Sequence, residues 1–207
     1  KDVQMEGIEH IKLIDASPIG INIRSTVATY INVHDELRKR FAKTESAKSK
    51  GYKAGDFSYN TGKLRCPTCD GTGTLSLDVQ FLPDVHVTCP DCHGSRYNKE
   101  SYFIKYKTSK EKEYSLPELM EMDVSFAKEA CQGLKGVYRK LEVLENLGLG
   151  YLTLGEETPS LSGGEAQRLK LASEMSKSQN DSIFIFDEPT IGLHPLDVQI
   201  LVKVFQS

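Results

Sequence analysis

From Gly7 to Asp15 the stretch GIEHIKLID alternates apolar and polar residues, the two-residue period of a strand, and it ends on an acid. A second strand is expected at Ser182–Phe186, where SIFIF is apolar after its first residue, as in a strand covered on both faces. Between them the period lengthens. Ile31, Val33, Leu37 and Phe41 make a loose helical stripe in ATYINVHDELRKRFAKT, which runs into the loop GYKAGDFSYNTGK. Leu134, Val137, Leu141, Leu144 and Leu147 recur three and four apart, the core-facing stripe of a longer helix. Further helices are predicted around Leu116–Met120 and Val124–Cys131, and SYFIKYK reads as a short strand. LSLDVQFLPDVHV alternates on either side of LPD and suits two short strands of a hairpin. LDVQILVKVFQS reads as an amphipathic helix that stops without a cap, so both ends look cut from a larger protein.

Length and composition narrow the class. The 207 residues are 39% hydrophobic and 27% charged, the balance of a globular protein with a real core. No apolar run reaches the roughly 20 residues of a membrane helix and no secretory leader opens the chain, so the cytoplasm is the expected compartment. The net charge of −3 is unevenly spread. Between Leu37 and Arg65 stand nine basic residues, Arg38, Lys39, Arg40, Lys43, Lys48, Lys50, Lys53, Lys63 and Arg65, against the acids Glu45 and Asp56. A local charge of +7 can neutralise backbone phosphates, or it can be an ordinary solvated face.

Four of the five cysteines fall in two knuckles, CPTC at 66–69 and CPDC at 89–92, with 19 residues between them. Cys66, Cys69, Cys89 and Cys92 thus have the spacing of a tetrahedral zinc site, with each knuckle presenting two thiolates. Four thiolates fill a structural zinc, which would fix the stalk of the hairpin between the knuckles. Paired disulfides are the alternative, disfavoured without a secretion signal. Cys131 reads as a buried inert thiol.

In SLSGGEAQRLKLA, Ser162 and Glu165 have the spacing of a capping box that opens a helix. The amides of Gly163 and Gly164 at that helix start also form an anion site. Downstream, the strand delivers Asp187 and Glu188 at its end, a placement suited to a magnesium-holding aspartate and a water-polarising glutamate. No GxxxxGK[ST] loop occurs in the chain.

Taken together, LSGGEAQR and FDEPTIGLHPLD resemble the signature loop, Walker B strand and D-loop of ABC-type ATPases. GGEAQRLKLASE, DEPTIGLH, CPTCDGTG…FLPDVHVTCPDCHGSRYNKE and IDASPIG…RSTVATY narrow the resemblance to the UvrA family, the damage-recognition component of excinuclease ABC in bacterial nucleotide excision repair, over roughly Gly7 to Leu201. The resemblance implies an α/β fold, a partial P-loop-type ABC ATPase with an inserted α+β zinc-binding signature domain. The implied division is 1–24 for the ATPase core strand and Q-loop region, 25–150 for the inserted domain with its zinc module at 66–92, and 151–207 for the signature loop, Walker B and D-loop. It implies an ATP hydrolase whose signature loop meets the γ-phosphate of ATP held by a different nucleotide domain. Ser162, Gly163, Gly164, Glu165, Gln167 and Asp197 are then nucleotide-binding, and Asp187 and Glu188 catalytic with Mg2+. Implied partners are double-stranded DNA along the basic segment, a second copy of the parent protein and a UvrB-like repair helicase. Ala16 stands where the family usually has the Q-loop glutamine, and a diverged paralogue linked to drug resistance is the alternative parent. A DnaJ-like chaperone zinc domain is a further alternative, since Cys66 to Gly73 fits CxxCxGxG, but LSGGE has no role there.

Overall fold

The structure is a computed structural model that describes residues 9–77, 85–175 and 182–190, together with Val198, Gln199 and Val202. Strand β1 (His10–Ile14) pairs in parallel with β6 (Ser182–Phe186), Leu13 opposite Ile185. Between them lie α1 (Val27–Tyr30), α2 (Val33–Phe41), α3 (Glu45–Ser49) and the antiparallel pair β2 (Thr74–Leu77) and β3 (Val85–Thr88). A second antiparallel pair, β4 (Lys105–Lys107) and β5 (Glu113–Ser115), leads into α4 (Leu116–Glu121), α5 (Val124–Ala130), α6 (Lys135–Asn146) and then α7 (Gly163–Met175).

The predicted helical stripes become the core. Val33, Leu37 and Phe41 of α2 are buried against Leu116 and Leu119 of α4 and against Val137, Leu141 and Leu144 of α6. Asn32 takes a left-handed backbone at φ 57°, which breaks the first stripe into two helices. Cys131 is fully buried, and burial pushes its thiol up to about 12.

Two expectations are corrected. SYFIKYK is not one strand: Lys99–Phe103 is a 3-10 turn and only Lys105–Lys107 is extended. The cause is local, because the Asn98 side chain accepts the Ser101 amide at 3.2 Å while the Ser101 hydroxyl donates to the Asn98 carbonyl at 2.6 Å. Nor is β6 covered on both faces among the described residues, where Ile11, Leu13 and Ile185 leave an exposed apolar face on the β1–β6 pair. The hairpin link at LPD and the terminal amphipathic helix lie outside the described residues, apart from Val198, Gln199 and Val202.

The chain leaves the β1 region and returns to it through one neck. Val27 and Ala28 donate to the carbonyls of Glu156 and Leu154 at 2.9 Å, and Thr158 donates back to Ser25 at 2.9 Å. The cysteine knuckles are tied to this neck by arginines. Arg24 reaches the Asp70 carbonyl at 2.9 Å, and Arg96 donates to the Ile23 carbonyl at 3.1 Å and to Glu157 at 2.8 Å.

Candidate ATPase signature loop, thiolate cluster and basic surface

The two knuckles bring the four predicted cysteines together. Their Sγ atoms all lie within 4.8 Å of one another, with Cys66–Cys89 at 3.9 Å and Cys69–Cys92 at 3.6 Å. A tetrahedral zinc with bonds of about 2.3 Å needs sulfur separations of about 3.8 Å, so this donor set fits that ion. All four thiols are free and buried. Each knuckle turns through a left-handed pair, Asp70–Gly71 and His93–Gly94. Gly71 is obligatory, since a Cβ there would lie 1.7 Å from the Tyr59 carbonyl. Burial opposes ionisation of Cys69, yet the Gly73 amide donating to its sulfur at 3.2 Å and the neighbouring thiols bring it down to about 7. Burial instead drives Cys92 up to about 12. His86 and His93 are not in the cluster.

The knuckle following Cys92 feeds a buried network. Tyr97 donates to the Phe57 carbonyl at 2.9 Å and meets His34 Nε2 at 2.7 Å, which joins the cysteine module to α2. Burial, with the charges of Arg38 and Arg96, lowers His34 to about 3, so it is neutral. Arg96, at φ 71°, stacks its guanidinium 5.1 Å from the Tyr59 ring centre. It is buried.

At the start of α7 the capping box forms as expected. Glu165 accepts the Ser162 amide at 2.7 Å, and Ser162 Oγ accepts the Glu165 amide at 3.4 Å. Ser162 and Gly163 remain exposed. A Cβ on Gly163 would lie 3.0 Å from the Ala16 carbonyl, so the glycine lets the loop pack on the position where the Q-loop glutamine was expected. Lys170 of α7 clamps the same turn, donating to Asp15 Oδ1 at 2.6 Å and to Ser17 at 2.8 Å. The Lys170 ammonium, with the Ser17 hydroxyl, lowers the Asp15 carboxyl to about 2.

Gln167 is buried, and its amide donates to the carbonyls of Ile14 at 3.0 Å and Asp187 at 2.7 Å. One side chain thus fastens the ends of β1 and β6 to the helix behind the glycine loop. Asp187 and Glu188 stand exposed at the end of β6, and Glu188 holds a left-handed backbone at φ 44°. A non-glycine residue in that region is strained, and such strain is common where a side chain must be aimed at chemistry. Asp197 lies outside the described residues.

The structure separates the nine basic candidates into two groups. Arg38 pairs with Asp35 at 2.9 Å, Lys48 with Glu45 at 3.8 Å, Lys50 with Glu100 at 2.9 Å, Lys63 with Asp56 at 4.0 Å and Arg65 with Asp70 at 3.0 Å. Lys39, Arg40, Lys43 and Lys53 have no ion pair among the described residues. Three of these four stand at the end of α2 and just beyond it.

The chain as a whole is similar to known proteins. UvrABC system protein A of Streptococcus pneumoniae is 47% identical over 202 residues, which is 96% of this chain. The protein of the same name from Oceanobacillus iheyensis is 46% identical over 210 residues and covers 100% of it. The solved UvrA2 of Deinococcus radiodurans superposes with a TM-score of 0.87 at 40% identity, covering 97% of this chain. The chain belongs to the UvrA family. It spans 21% of the length of the relatives named and 24% of the solved UvrA2 chain. No protein-family model matches it. The UvrA likeness runs through the thiolate cluster and the LSGGE helix alike, so the family's ABC ATPase fold accounts for both. A chaperone zinc domain accounts for only the first. Among the described residues no helix is long and apolar enough to cross a membrane.

Proposed function

We propose that this chain is the signature half-site and DNA-facing insertion of a UvrA-type repair ATPase. The observation that carries the reading is the junction of α7 with β6, where Gln167 draws the exposed glycine loop and the acidic pair Asp187–Glu188 to one edge. Ser162, Gly163 and Gly164 offer hydroxyl and amide donors to the γ-phosphate of ATP held on another nucleotide domain. Asp187 holds Mg2+, Glu188 polarises the attacking water, and Asp197 completes the nucleotide contacts of the parent protein; the metal supplies charge neutralisation of the phosphates. Glu165 and Gln167 act by holding this edge in place. Cys66, Cys69, Cys89 and Cys92 hold one structural zinc.

In this reading residues 1–24 belong to the ATPase core, 25–150 to the insertion and 151–207 to the returning signature and Walker B segment. The neck pairing of Ser25–Ala28 with Leu154–Thr158 supports that division. The parent acts in the cytoplasm as a homodimer on double-stranded DNA and hands the site to a UvrB-like helicase. Its contact with DNA runs through Lys39, Arg40, Lys43 and Lys53, which no carboxylate pairs among the described residues, with the paired Arg38, Lys48, Lys50, Lys63 and Arg65 contributing less. Contacts of this kind are to phosphates and carry little base identity. Salt titration of DNA binding by the parent tests this. Neutralising Lys39, Arg40 and Lys43 together should reduce the salt slope by up to about 0.9 per lost contact, equally across sequences. An unchanged slope would make the segment an ordinary solvated face.

A further inference from the structure

Tyr151, which no motif singled out, sits beside the signature loop. The loop that carries it is fixed on both sides: Leu149 and Leu152 are buried, Ser125 donates to the Gly150 carbonyl at 3.1 Å and Val124 to Leu152 at 2.9 Å. A Cβ on Gly150 would lie 2.6 Å from Ser125 Oγ, so glycine lets the loop approach α5 closely. Tyr151 itself is 61% exposed, and its hydroxyl donates to Glu165 Oε1. The other oxygen of that carboxylate accepts the Ser162 amide at 2.7 Å. Arg168, one turn along α7 and more than nine-tenths buried, carries its charge near Tyr151 and Glu165, and its Nε has no hydrogen-bond partner among the described residues.

A carboxylate at a helix start competes with any other anion that the same amides could take. Glu165 is therefore a hazard to the loop unless it is held at the Ser162 amide. Burial raises the Tyr151 hydroxyl, and the bond to Glu165 adds to this, to about 12, so Tyr151 remains a proton donor at any working pH. Burial alone would raise the Glu165 carboxyl, but the Tyr151 and Ser162 bonds hold it low, so the charge to be restrained is always present.

We propose that Tyr151 is a positioning residue of the ATPase reaction: with Arg168 behind it, its hydroxyl holds the Glu165 carboxylate on the Ser162 amide and leaves the Ser162 hydroxyl and the Gly163 and Gly164 amides free for phosphate. This rests on the reading of the loop as a γ-phosphate contact. Two measurements separate the two claims. In the parent protein, Tyr151→Phe should lower kcat for ATP about five- to tenfold, with KM within about twofold. In a Glu165→Gln background, where no negative charge is left to stray, the same change should cost less than about twofold. Equal losses in both backgrounds, or none in either, would overturn the proposal. The second measurement needs no nucleotide: hydrogen exchange of the Ser162 amide should quicken about tenfold or more in Tyr151→Phe. Unchanged exchange overturns the proposal even if the parent hydrolyses no ATP, whereas quickened exchange without hydrolysis leaves the cap standing and removes the γ-phosphate reading.

Discussion

Replacing Arg96 by methionine isolates the tie between the cysteine module and the neck. The guanidinium donates to Glu157 at 2.8 Å and to the Ile23 carbonyl at 3.1 Å, and it stacks on Tyr59 at 5.1 Å. A charge-assisted bond contributes about 1.5–3 kcal/mol, taken near its lower end because the Glu157 side chain is 31% exposed and screened. The carbonyl bond adds about 1 kcal/mol and the stacking about 0.5 kcal/mol. Against these, Nη1 is buried without a partner, so removing the guanidinium recovers about 1 kcal/mol of desolvation, while the methionine stem keeps much of the packing. The net expectation is a loss of about 2 kcal/mol. The chain has no tryptophan, so urea unfolding is followed by tyrosine fluorescence and near-ultraviolet dichroism. The midpoint should fall at unchanged slope, with bound zinc still at one equivalent. A loss below about 0.5 kcal/mol would show that the neck is held by its backbone pairing alone.

Cys89→Ser should release the zinc and loosen the pairing of β2 with β3, read as lost metal content and faster amide exchange from Thr74 to Leu77; protein purified without chelator yet free of zinc would refute the site. His34 gives a pH signature. Its folded pKa of about 3 lies below the ordinary 6.5, so the stability it confers is complete above about pH 6.5 and is lost as pH falls toward 3, at up to about 1.4 kcal/mol per unit. The groups facing it are Tyr97, Tyr59, Arg38 and Arg96. His34→Gln should flatten the wild-type slope between pH 6.5 and 5, and an identical slope in both proteins would contradict the burial argument.

What was legible in the sequence depended on the range of the interaction involved. Cys66, Cys69, Cys89 and Cys92 announce themselves because metal geometry demands fixed spacing within each knuckle. Ser162 and Glu165 do so because a capping box is a three-residue device. The stripe on α6 was readable because helix period alone decides which residues point inward. SYFIKYK misled, since its apolar residues suit a strand while the Asn98–Ser101 bonds impose a turn that propensity does not register. The covering of β6 depends on what packs against it, which the strand's own residues do not state. Arg96 and Tyr151 were missed, and the tie that Gln167 makes was not visible, for a related reason. Each acts on a partner brought near only by the fold: Arg96 on Glu157, Gln167 on Ile14 and Asp187, and Tyr151 on Glu165. The basic segment was visible as charge, but which charges are free depended on carboxylates as distant as Glu100 from Lys50.

The fate of ATP in the parent protein when Glu188 is replaced by glutamine tests the role of this edge most directly. If Glu188 polarises the attacking water beside a metal held by Asp187, Glu188→Gln should bind ATP with little change while hydrolysis falls by a factor of about a hundred or more, so that the nucleotide recovered from the protein after incubation is ATP. Recovery of ADP at the wild-type rate would contradict the reading of this edge as the hydrolytic site.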